Sequence, residues 1–141
     1  MSRDPLETLA RLRRSVVEDA RRALVACLEA EDAASTAMRR AEAAIFHEQD
    51  AAGTLNAGDG AVEAFAAWLP YGRQAVAQAR EAHDRAAAAT VQARAVLAAS
   101  RASAEAADRL LASRAAVRDA EAARRTQIAL DEAASHRKRQ K

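Results

Sequence analysis

Gly53-Thr54-Leu55-Asn56-Ala57-Gly58-Asp59-Gly60 holds three of the chain's four glycines and lies between two long stretches that read as helix. Glycine supplies the backbone conformations that other residues resist, so this cluster is a joint at which the chain reverses. Upstream, Asp4-Pro5-Leu6-Glu7 has the form of a helix start. Asp4 is the N-cap, Pro5 fills the first helical position where its missing N–H is harmless, and Glu7 stands at the capping-box position. No Gly or Pro follows until Gly53, which stands where a left-handed C-cap belongs. The spacing predicts a helix over about 5–52, roughly 72 Å long at 1.5 Å per residue. Downstream, a joint over 53–72 is expected to contain a short helix over about 61–69, capped by Asp59. Pro70 and Gly72 then either break or kink the path before a longer helix over about 73–137.

Composition supports helices without a thick core. Of 71 nominally apolar residues in the 141, 43 are Ala, and Leu, Ile, Val and Phe together number 23. A chain so poor in large apolar groups remains disordered when its net charge is also high, yet 22 basic residues face 20 acidic ones here. Ala has the best helix propensity, with Arg and Glu close behind. The expected fold is all-α, a long antiparallel two-helix coiled-coil hairpin in which each arm buries a narrow stripe on the other.

On the first arm, Leu9, Leu12, Val16, Ala20, Ala23, Cys27, Ala34, Met38 and Ile45 share a face at steps closer to an eleven-residue repeat than to a strict heptad. On the second, Val76, Ala79, His83, Ala86, Thr90, Ala93, Leu97, Ala104, Ala107 and Leu111 follow a heptad, with Val117 and Ile128 beyond. Alanine knobs allow close approach but bury little surface, so stability is expected to be marginal and supplemented by a partner or by self-association.

The residue types needed for chemistry are scattered. His47, His83 and His136 are far apart and Cys27 has no histidine near it in sequence, so neither a metal site nor a nucleophile is expected. The glycines form no phosphate-binding pattern, so no cofactor is expected and the chain reads as a non-enzyme. A lone cysteine, an N-terminus without a signal-like apolar run and the lack of a long apolar stretch lead us to expect a cytoplasmic protein.

Charge and aromatics are unevenly placed. Residues 1–22 carry six Arg against four acids, residues 124–141 six basic against two acids, and residues 41–85 three Arg against seven acids. In an antiparallel hairpin the two basic ends are expected to meet at one tip, with the acidic stretch at the joint. Phe46, Phe65, Trp68 and Tyr71, the only aromatics, cluster around the joint, where they either pack the turn or form a protein-binding patch.

The opening Asp4-Pro5-Leu6-Glu7-Thr8-Leu9-Ala10-Arg11-Leu12-Arg13-Arg14, followed by Glu18-Asp19-Ala20-Arg21-Arg22-Ala23-Leu24, resembles the N-terminus of the FliJ family of flagellar export proteins. That family commonly reads Pro-Leu-x-x-Leu-x-x-Leu-Arg there. Phe65-Ala66-Ala67-Trp68-Leu69 and the basic C-terminus around Leu130-Asp131-Glu132 support the resemblance. It implies a non-enzymatic stalk and chaperone component of the bacterial type III export apparatus, a two-helix coiled coil whose termini enter the hexameric export ATPase. The implied partners are that ATPase, the cytoplasmic domain of the export gate and export chaperones. The implied location is the cytoplasmic face of the inner membrane, reached only through the apparatus. By this resemblance Leu6, Leu9, Arg11, Leu12, Arg13 and Arg14, with Leu130, Asp131 and Glu132, lie at the ATPase end. Ile45, Phe46, Phe65, Trp68 and Leu69 are the gate-facing candidates. The Ala content, the Gly-rich joint and Pro70 depart from the family pattern and bear on the gate contacts.

Three other readings compete. The stalk of a virulence type III system shares these features, although the opening motif favours the flagellar one. A homo-oligomeric coiled-coil scaffold shares the fold. Binding of nucleic acid or of an anionic membrane surface by an Arg-rich helix, suggested by a pI near 9.2, is disfavoured because most arginines outside the ends have acidic neighbours and no basic stripe interleaves with aromatics.

Overall fold

A computed structural model describes residues 4–54 and 57–139. It is an all-α helical hairpin of α1 (Pro5–Ala52, 48 residues) and α2 (Asp59–Arg139, 81 residues). It divides into two compact units, Met1–Val17 with Ala99–Lys141, and Glu18–Ala98.

In the first unit the expected helix start is present. The Leu6 N–H donates to the Asp4 carboxylate at 2.9 Å, and the Thr8 N–H donates to the Asp4 carbonyl at 3.2 Å. Leu6, Ala10 and Val17 of α1 are buried, as are Ser100, Ala104 and Ala107 of α2. Arg14 pairs with Asp108 at 2.5 Å and Arg114 with Asp4 at 3.6 Å, which fixes the helices as antiparallel with Asp4 opposite Arg114. Past Ala115 every residue of α2 through Arg137 is exposed, so the helix continues without a partner among the described residues.

This register corrects the expected meeting of the two basic ends. The C-terminal basic segment begins at Arg124, ten residues beyond Arg114, and so lies about 15 Å past the start of α1 along the helix axis.

In the second unit Ala20, Val76, Thr90 and Leu97 are buried. The Thr90 hydroxyl faces two acceptors, the Cys27 carbonyl across the interface at 3.3 Å and the Ala86 carbonyl in its own helix at 3.2 Å. Arg80 donates through Nε and Nη2 to one oxygen of Glu42, at 3.1 and 2.7 Å.

The seam of α2 is the heptad expected as far as Leu111, with Ser100 added, but Val117 and Ile128, expected to continue it, are exposed because α1 does not extend beside them. The seam of α1 differs from expectation. Leu6, Ala10, Val17, Ala20, Leu24, Cys27, Glu31, Ala34, Met38, Ala41 and Ile45 are buried or half-buried, at alternating three- and four-residue steps once exposed Arg13 is counted, so the repeat is a heptad and not eleven residues. Leu9, Leu12 and Val16 fall off this line and are exposed. Close approach decides the choice: Ala10, 1% exposed, admits the facing backbone where a leucine would hold it away.

The joint is shorter than expected, covering 53–58. Gly53 does not take a left-handed conformation; its N–H donates to the Gln49 and Asp50 carbonyls at 3.0 and 3.2 Å, prolonging the helix-like bonding. The left-handed residue is Gly58, with φ 72°, where a side chain would be strained. Leu55 and Asn56 lie outside the described residues. Asp59 is itself the first residue of α2, two residues before the expected start at Ala61, and its charge suits the positive end of the helix.

No break divides 61–69 from 73–137, because α2 runs through both Pro70 and Gly72. Proline removes the bond to the carbonyl four residues back, that of Ala66. Ala66 and Pro70 are both exposed, so water reaches the carbonyl left over, while the buried line passes through Gly72 and Val76 on another face.

Candidate partner-binding surfaces

The opening of α1 presents its larger apolar side chains outward. Leu9 is 39% and Leu12 60% exposed, while Leu6 is buried and serves packing. Arg11 and Arg13 are exposed beside them, and Arg14 is engaged with Asp108.

Leu130, Asp131 and Glu132 are also exposed, but the structure does not bring them to this surface. With Asp4 opposite Arg114, Leu130 lies sixteen residues farther along α2, an axial distance of about 24 Å. The nine residues assigned by resemblance to one end therefore form two surfaces of the same unit. Sequence pattern could not supply this separation, because it depends on which residues pair.

Around the joint, Phe65 and Trp68 stack at a tilt with ring centroids 6.2 Å apart. They line a shallow hollow with Glu48, Ala51, Ala52, Ala61 and Ala64. A second hollow holds Ile45 and Phe46 with Glu42, Val76 and Arg80. Ile45, Phe65, Trp68 and Leu69 are half-buried, so packing accounts for part of each, whereas Phe46 stands 67% exposed.

Gly72 does not interrupt the helix, contrary to expectation, and has a specific role within it. A Cβ there would meet the Trp68 indole at 2.6 Å, so glycine makes room for the ring to lie across the helix one turn on. The i,i+4 spacing of Trp68 and Gly72 is the only trace of this in the sequence.

His83 is half-buried on the seam, with Nδ1 3.5 Å from the Asp84 carboxylate. Among the described residues no group of three or more His, Cys, Asp or Glu could hold a metal ion. No described helix is long and apolar enough to cross a membrane.

The fold and these surfaces define an α-helical hairpin with exposed apolar residues near the start of α1 and beside the joint. No family model, curated protein or solved structure matches the chain.

Proposed function

We propose that this chain is a non-enzymatic stalk of the FliJ type, serving the flagellar export apparatus in the cytoplasm at the inner membrane. It binds the export ATPase through the end that bears the start of α1, and the export gate through the region around the joint. The observation that supports this most is the outward placement of Leu9 and Leu12. Large apolar side chains left outside the seam, with Arg11 and Arg13 beside them, are suited to a protein partner. Leu130, Asp131 and Glu132 supply a second ATPase contact farther along α2. Phe46 is the most accessible of the gate-facing residues, with Ile45, Phe65, Trp68 and Leu69 shaping the surface beneath it. Export chaperones are a further partner class.

The test is co-purification with the flagellar export ATPase of the same organism, scored by complex formation and by stimulated ATP hydrolysis. The full chain is expected to bind, a Leu9→Glu/Leu12→Glu variant to bind at least tenfold more weakly, and a 1–123 truncation to lose the second contact while staying helical by circular dichroism. Failure of the full chain to bind at low salt would remove the stalk reading and leave a coiled-coil scaffold.

A further inference from the structure

The unpaired part of α2 contains Arg124-Arg125-Thr126-Gln127-Ile128-Ala129-Leu130-Asp131-Glu132, whose charges are arranged symmetrically in place and oppositely in sign about Ile128. Arg125 and Asp131 stand three residues to either side, and Arg124 and Glu132 four. Steps of three and four share a helix face, so the four charges and Ile128 form one surface, basic toward one end and acidic toward the other. We infer that this surface pairs with the same surface of a second copy of the chain, the two α2 helices antiparallel about a two-fold axis at Ile128, in a free-chain association that the proposed ATPase contact through Asp131 and Glu132 would displace.

The direction follows from the charges. Antiparallel pairing sets Arg124 of each copy opposite Glu132 of the other and Arg125 opposite Asp131, each contact occurring twice by symmetry, with Ile128 against Ile128. Parallel pairing sets Arg on Arg and acid on acid, which repels.

The groups are available. All of 116–137 is exposed, and Ile128 is 48% exposed. Arg124 and Glu132 have no ion-pair partner among the described residues, and Arg125 makes only a long, exposed i,i+4 ion pair with Glu121 at 3.9 Å, which it can exchange for a partner across the interface. Asp131 accepts one bond from Gln127 at 3.0 Å and retains further acceptor capacity. A second α1 is a poorer occupant, because the seam line it would need carries Arg118, Glu121 and Arg125 where α1 meets Ser100, Ala104 and Ala107. Exposed ion pairs contribute little each, so the dimer is weak, with a dissociation constant on the order of 0.1 mM at low salt.

Sedimentation of the full chain alone, from about 10 µM to about 1 mM at roughly 20 mM and roughly 500 mM salt, tests this independently of any ATPase. The mass is expected to rise toward that of two copies at low salt, with about tenfold weaker association at high salt. Arg124→Glu/Arg125→Glu and Asp131→Arg/Glu132→Arg should each be monomeric alone and associate when mixed. The variant carrying all four changes should regain self-association, since its pattern is the same with signs exchanged. A wild-type chain monomeric throughout at low salt would overturn the inference. So would association indifferent to the reversals, or a mixture and a fourfold variant that both stay monomeric.

Discussion

Along α2 one seven-residue register is filled first by Ser100, Ala104, Ala107 and Leu111, and then by Arg114, Arg118, Glu121 and Arg125. The first four are buried or half-buried against α1, and the second four are exposed. The helix itself does not change, because Ala, Arg and Glu favour it equally on both sides of the boundary. Pairing ends at the boundary because α1 begins at Pro5, opposite Arg114, and no described residue of α1 lies farther out; beyond it the register carries charged side chains that suit water rather than an alanine seam. Helix formation and helix pairing are thus specified by different features of the sequence, and α2 shows one without the other.

The largest expected effect comes from moving the charged pattern across that boundary. Ala107→Glu should lower stability by about 3 kcal/mol, seen as an early urea or thermal transition by circular dichroism, while Ala129→Glu on the exposed segment should cost less than about 0.5 kcal/mol. Equal effects would show that the exposed segment is paired after all. Gly72→Ala probes the paired part in the other unit. The new methyl displaces the Trp68 ring, so tryptophan fluorescence should shift to the red, with a net loss of about 1 kcal/mol after the helix-propensity gain of replacing glycine.

A double-mutant cycle on Arg14 and Asp108 should give about 0.5 kcal/mol at low salt and less at high salt, as for an exposed pair at the edge of the seam. At the bottom of the scale, ending the chain after Ala115 should leave the urea midpoint of the dilute protein unchanged. Correspondingly, amides of 116–137 should exchange far faster than those of 100–111. Matching exchange rates in dilute solution would break the contrast.

The sequence states the helices more clearly than their pairing. Pro5 after Asp4 and the glycines of the joint mark the start and the reversal by local backbone chemistry, and the structure has both. The α2 seam was readable because Val76, Thr90, Leu97 and Leu111 punctuate the alanines at one register. On α1 the larger side chains mark a register that the structure leaves exposed. Leu9, Leu12 and Val16 are the larger residues, but an alanine seam is chosen by how closely the backbones approach, a property of the pair of helices. The same dependence hid the distance between Leu12 and Leu130, two members of one expected surface. The effect of Pro70 depends on whether the orphaned carbonyl meets water, which requires knowing the exposed face.

The contacts across the hairpin also imply an order of assembly. Arg80 and Glu42 are 38 residues apart in sequence, Thr90 and Cys27 63, and Arg14 and Asp108 94. Closing the longest of these loops directly costs roughly 0.8 kcal/mol more chain entropy than closing the shortest, and with the inner contacts already made that difference disappears. On loop-closure entropy alone, the contacts nearest the joint form at the lowest cost, so the start of α1 is expected to dock last and open first.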